Sequence, residues 1–237
     1  MRRVRFDVVN DALEASRRAD RPRRHTGSSA TEVAIFEATE RLLATQGLHD
    51  ISVADILEEA GISRATFYFY FSSKFAVVTG MLGRLYEEIF EVVQPFISRE
   101  EDESPEQALR RSLQASADVW TQHQAAMRAV HEHWAVVPEL RAAWLEIVER
   151  FTDALAAAID RDRAAGLAVK GPSSHQLAAM LLWSADRCLY VASLGVDDDL
   201  LGERETVEPL MAIWMGSVYG AEPVAKRATR GRGTRKR

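Results

Sequence analysis

Ile51-Ser52-Val53-Ala54-Asp55-Ile56-Leu57-Glu58-Glu59-Ala60-Gly61-Ile62-Ser63-Arg64-Ala65-Thr66-Phe67-Tyr68-Phe69-Tyr70-Phe71-Ser72-Ser73-Lys74 reads as two short helices joined by a tight turn. Ser52 is an N-cap, and Asp55 three residues on gives an approximate capping box for a helix over 52–60. Gly61 ends that helix and permits the left-handed backbone that a sharp turn between crossed helices demands. Ile62 follows as the apolar plug, and Ser63 caps a second helix over 63–69. Helix N-termini of this kind offer free N–H groups and a positive dipole end to phosphates. In helix-turn-helix docking the first turn of the second helix, here Ser63, Arg64, Ala65 and Thr66, enters the major groove. Arg64 can donate two bonds to a guanine or one to a phosphate, and Ala65 and the Thr66 methyl suit a thymine methyl. Tyr68, Tyr70 and Lys74 suit phosphate oxygens. Phe67 and Phe71 read as core.

Outward from this motif the apolar period is helical, and no run of alternating β-branched residues suggests a strand. The expected fold is all-α with about nine helices: an N-terminal three-helix DNA-binding unit and a C-terminal helical bundle. A first helix over 30–46 carries Val33, Phe36, Leu42, Leu43 and Ala44 and stops at Gly47. A fourth runs from Ser73 to about Gln94, where Pro95 is expected to block it. An acidic linker, 100–103, precedes helices at 105–122 and 124–134. Pro138 suits the first turn of a long helix reaching about Gly166. Helices over 174–194 and 203–219 close the body, with Asp197-Asp198-Asp199 as a loop. The expected organisation is a basic flexible arm (1–28), the helix-turn-helix unit (29–75), a helical body for ligand binding and dimerisation (76–220) and a basic disordered tail (221–237).

The net charge of −5 hides a segregation. Residues 1–28 hold eight Arg against four acids, and 221–237 hold seven Lys or Arg against one acid, leaving 15 basic and 30 acidic residues between them. Basic tails suit a polyanion such as nucleic acid, and equally suit a merely solvated, disordered segment. The unit 29–75 has three cations against seven acids, so the tails are expected to supply part of the nonspecific DNA affinity. No apolar run approaches the roughly 20 residues of a membrane span, and the basic N-terminus lacks an apolar signal-peptide core. A cytoplasmic protein with no membrane partner is expected. Cys188 is the single cysteine; it excludes an intrachain disulfide and reads as a small core residue.

Thr66-Phe67-Tyr68-Phe69-Tyr70-Phe71-Ser72-Ser73-Lys74, after Gly61-Ile62-Ser63, resembles the signature of the TetR family of bacterial regulators: a Gly-apolar turn, a short recognition helix, then Tyr, an aromatic, Phe and Lys. The resemblance implies that Ser52 and Thr66 contact DNA, that Tyr68, Tyr70 and Lys74 clamp phosphates, and that Arg64 reads a base or phosphate. Ala157-Ala158-Ile159-Asp160, His175-Gln176-Leu177-Ala178, Asp186-Arg187 and Ile213-Trp214 resemble the body of one branch of the family. Where that branch presents amides to its ligand, Leu182 and Ala185 stand here, implying a different or more apolar ligand.

A body of this kind implies a switch. Its ligand site is expected among Trp120, Leu145, Val148, Phe151, Thr152, Leu182, Asp186, Tyr190 and Trp214, taking a small hydrophobic effector. Thr152 and Asp186 are candidates for orienting it; Asp186 is equally a candidate for pairing with Arg150, or with Arg187 of another chain. The last two helices carry apolar residues on more than one face, which calls for a second partner. Family resemblance makes that partner a second subunit, so the expected assembly is a homodimer on double-stranded DNA with an inverted-repeat operator. The expected role is repression, relieved when the ligand binds.

Enzyme chemistry finds little support. His131-Glu132-His133 puts its two rings on different helix faces with no third ligand in register, and with His123 reads as surface histidine. Asp197-Asp198-Asp199 reads as a solvated turn rather than a cation loop. No phosphate loop, nucleophile elbow or zinc-protease motif occurs. No catalytic residue, metal or cofactor is called for. The competing readings are an unrecognised activity or a helix-turn-helix used for protein contacts.

Overall fold

The computed structural model describes residues 29–99, 103–197, 199 and 202–220. The expected arm 1–28 and tail 221–237 lie outside them, as does most of the acidic linker. The described residues form nine helices and no strand: α1 (Ala30–Leu43), α2 (Val53–Ala60), α3 (Arg64–Tyr70), α4 (Lys74–Ile97), α5 (Pro105–Gln122), α6 (Gln124–His133), α7 (Pro138–Ala164), α8 (Ser174–Leu194) and α9 (Val207–Tyr219).

Serine starts most of them. Ser29, Ser52, Ser63, Ser73, Ser104 and Ser173 each accept the N–H three residues on, satisfying a donor the helix itself cannot. At Ser52 the reciprocal bond is made as well, from its own N–H to Asp55 Oδ2 at 2.7 Å. Those donors hold the Asp55 carboxyl below its usual value. Gly61 stands at φ 64°, the left-handed turn the motif requires.

Helix α4 is the spine. Its buried stripe Val78, Leu82, Leu85, Tyr86 and Ile89 packs on α5, α6 and α7, while its first turns meet α1. At Gly80 the approach to α1 is close: a Cβ would stand 2.9 Å from the Phe36 ring. Phe67 and Phe71 are buried with Phe36, joining α1, α3 and α4 as expected. The buried residues from Ile35 to Tyr219 form one continuous apolar core.

Three boundaries differ from the expected ones by three residues or more. Helix α1 ends at Leu43, and Thr45 and Gln46 close a turn on the Leu42 carbonyl. Helix α4 runs past Pro95 to Ile97; a proline in the last turn removes a single N–H, and Ser98 closes the end on the Gln94 carbonyl at 2.8 Å. Helix α9 begins at Val207 rather than 203, because Thr206 folds back on the Gly202 carbonyl through both its N–H and its hydroxyl. Asp197 accepts the Asp199 N–H at 3.0 Å, an exposed turn of the expected kind. Cys188 is half-buried rather than fully buried, and burial pushes its thiol up.

Helix α8 has the length and mean hydropathy, 1.3 over its most apolar 18 residues, of a membrane span, a likeness the sequence reading passed over. It carries Asp186 and Arg187 near its middle and packs on α7, so length and composition are all it shares with one.

Candidate DNA-reading face and ligand cavity

Of the expected DNA contacts, Ser52, Ser63, Arg64, Ala65 and Tyr68 are exposed, and Thr66, Tyr70 and Lys74 are half-buried. Tyr68 and Phe69 are 47% and 58% exposed on a helix of seven residues. The hydroxyls of Ser63 and Thr66 are bonded to each other at 2.8 Å. Both donors of Ser52 go to Asp55. Arg41 is paired with Glu59 at 2.6 Å. Lys74 departs from expectation. Its ammonium donates to the carbonyls of Leu48, His49 and Ile51 at 2.8, 3.0 and 2.7 Å, which occupies its three N–H groups. Lys74 thus ties the start of α4 to the turn before α2, and a phosphate clamp does not fit that arrangement. Arg64 is then the module's one cation without a partner among the described residues.

In the body, a cavity of about 110 Å³ lies among α4, α5, α7, α8 and α9. Six of the nine expected positions line it: Trp120, Val148, Phe151, Leu182, Asp186 and Trp214. Leu145 does not; it is 47% exposed, one residue off the inward stripe Trp144, Val148, Phe151 and Leu155 of α7. Thr152 is buried but absent from the lining. Tyr190 stacks instead on His131, ring centroids 5.2 Å apart, with Arg187 over its ring.

Tyr86, Trp144 and Trp183 also line the cavity and were not among the nine expected positions. Periodicity carried the first two, since Leu82-Tyr86-Ile89-Val93 and Trp144-Val148-Phe151 are helical stripes. Asp186 has different partners from those considered. Arg150 pairs with Glu87 and covers the Phe90 ring. The Asp186 Oδ1 atom lies 2.8 Å from His131 Nε2 and accepts the Tyr86 hydroxyl at 3.2 Å. His131, expected at the surface, is buried, because α6 turns that face onto Trp120 and Trp144. Burial first, then the Asp186 charge, raise the Tyr86 phenol well above its usual value. His123 stands 2.8 Å from Glu40, linking α6 to α1. A second unexpected cluster, Glu149, Asp153 and His175, is exposed on α7 and α8.

Two family models match the chain. The tetR family of bacterial regulatory proteins covers residues 35–79, and the C-terminal domain of the transcriptional regulator EthR covers 109–220. The HTH-type transcriptional regulator EthR of Mycobacterium tuberculosis is 32% identical over 209 residues, covering 88% of this chain and 94% of EthR. Its Mycolicibacterium smegmatis counterpart is 32% identical over 193 residues, 81% of this chain and 88% of its own length. Among solved structures, SmeT, repressor of the Stenotrophomonas maltophilia multidrug efflux pump SmeDEF, superposes with TM-score 0.64 at 18% identity, over 81% of this chain and 91% of SmeT. A transcriptional regulator from Saccharomonospora viridis in complex with choline gives TM-score 0.64 at 18% identity, over 79% and 96%. Members of the family bind DNA and ligands and act as dimers. These relatives are regulators and not enzymes, and the chain belongs with them, as a helix-turn-helix transcriptional regulator of the TetR family homologous to EthR.

Proposed function

We propose that this chain is a cytoplasmic repressor that binds an inverted-repeat operator as a homodimer and leaves it when a small hydrophobic effector fills the cavity. The observation that carries the reading is the path of α4. It starts one turn after the recognition helix α3 and ends in the body, and its Tyr86 both lines the cavity and bonds Asp186 of α8. An effector that fits the cavity in only one arrangement of α4 favours that arrangement, and so sets the spacing of the two recognition helices. SmeT has been captured with triclosan and the Saccharomonospora viridis regulator with choline, so the fold accommodates small molecules of unlike chemistry.

At the DNA, Arg64, Ala65 and Thr66 are assigned to the groove and Ser52, Ser63, Tyr68 and Tyr70 to the backbone. The dimer surface is assigned to the outer faces of α8 and α9, where Met180 is 74% and Ile213 49% exposed. Its two-fold axis sets the recognition helices about 34 Å or somewhat more apart. The chain divides by role into the module 29–75 and the body 76–220, with the basic segments 1–28 and 221–237 adding nonspecific affinity through their charge. Operator titration with and without cavity ligands tests the switch. Displacement of the protein from DNA is the expected result, and operator affinity unmoved by any ligand that fills the cavity would contradict it.

A further inference from the structure

The cavity is walled by apolar and aromatic side chains, and its one charged group is Asp186. Both contacts to that carboxylate, from Tyr86 and His131, fall on Oδ1. No described residue bonds Oδ2. His131 Nδ1 stands 2.8 Å from the Met127 carbonyl, which can only accept, so Nδ1 carries a proton. The bond from Nε2 to Oδ1 needs a second proton, shared between ring and carboxylate. Oδ2, the carboxylate atom that this contact leaves for a ligand, is an acceptor.

That fixes what can be satisfied at Oδ2, while the Trp144 and Trp214 indole N–H groups, unpartnered among the described residues, would take an acceptor elsewhere in the lining. An anionic ligand would set a second acceptor against Oδ2, with no Arg or Lys in the lining to hold it. A neutral acceptor leaves Oδ2 unbonded. A donor is satisfied, and a charged donor gains more, because ring faces attract cations. Trp120, Trp144, Trp183 and Trp214 line the same space as Asp186. Tyr86 stands edge-on to Trp144, centroids 4.9 Å apart, and to Phe151 at 6.1 Å. A second, smaller cavity of about 50 Å³ shares Val93, Leu113, Phe151, Leu182 and Trp214 as walls, which gives an apolar tail a further space beside the first.

We propose that the effector is a hydrophobic monocation, a protonated amine whose N–H bonds Asp186 Oδ2 and whose apolar body lies among the tryptophans. This rests on the reading of the cavity as the effector site and adds its chemical class.

The test titrates the full-length protein, followed by tryptophan fluorescence and calorimetry, with 4-phenylbutylamine, 4-phenylbutanol and 4-phenylbutyrate. Near pH 7 these are a cation, a neutral donor and an anion on one carbon frame. The amine is expected to bind about tenfold more tightly than the alcohol, the scale of a charge-assisted bond to Asp186 taken with a cation–ring contact, and the acid not measurably. Asp186→Asn should bring amine and alcohol close to equal affinity. Trp183→Leu, which leaves the His131–Asp186 pair in place, should weaken the amine more than the alcohol, and keeps the test intact if Asp186→Asn fails to fold. An alcohol or acid that binds wild-type protein as tightly as the amine overturns the cation proposal while leaving the cavity an effector site. An amine preference that survives both substitutions also overturns it. Absence of binding by all three at millimolar concentration overturns the cavity reading itself.

Discussion

Three cations stand between residues 29 and 75, and the fold occupies two of them: Arg41 with Glu59, Lys74 with three carbonyls. That leaves Arg64 as the side chain from which charge-dependent affinity within the module should come. Arg64→Ala is expected to lower operator affinity and reduce the salt slope by about one phosphate. Lys74→Met is expected to act through stability, costing about 2 kcal/mol in urea denaturation for the loss of charge-assisted bonds to carbonyls, with little change in salt slope. At the far end of the molecule the Tyr219 hydroxyl donates to Asp162 Oδ2 at 2.7 Å. Burial and then Asp162 push that phenol up, as burial and Asp186 do for Tyr86. A phenol whose folded pKa lies above its unfolded value of about 10 stabilises the fold below that pH and loses the contribution as pH rises past it. Two of the five tyrosines should therefore stay protonated in an alkaline absorbance titration until the protein unfolds, and Tyr86→Phe and Tyr219→Phe should each remove one.

Among the elements, the motif helices were the most legible, because their signals are local. A capping serine, an acid three residues on and a glycine at the turn act within one or two helical turns, and each is found in its role. Gly61→Ala meets no atom within 4 Å, so its cost is backbone strain alone, about 1–2 kcal/mol, readable as a lower urea midpoint with an unchanged slope. The errors in the reading lie where tertiary partners decide. Pro95 put the expected end of α4 at Gln94, three residues early. Leu145 was drawn into the cavity because it is apolar, though the 100° step from Trp144 turns it outward. His131 was put on the surface because nothing in its own neighbourhood tells of Asp186, 55 residues away on another helix.

At the scale of the molecule, six of the cavity's sixteen lining residues were named from the sequence, but the pairing of Asp186 with His131 was not legible. The pairing arises where α4, α6 and α8 converge, and none of the three carries half of it as a motif. The dimer surface is a prediction of the same scale. Arg at Met180 or Ile213 places a charge in an apolar contact, so Met180→Arg with Ile213→Arg should sediment as a monomer and lose specific DNA binding. A double variant that stays dimeric would move the interface elsewhere. One titration tests the assignment of α3 as the reading helix most directly. Wild-type protein and Arg64→Ala and Tyr68→Ala variants are titrated against the DNA flanking the gene, at two salt concentrations. The account predicts salt-sensitive binding to a palindromic segment, well tighter than the nonspecific range of about 10⁻⁴–10⁻⁶ M, weakened by both substitutions. Binding to that segment that neither substitution weakens would contradict the assignment of α3 as the reading helix.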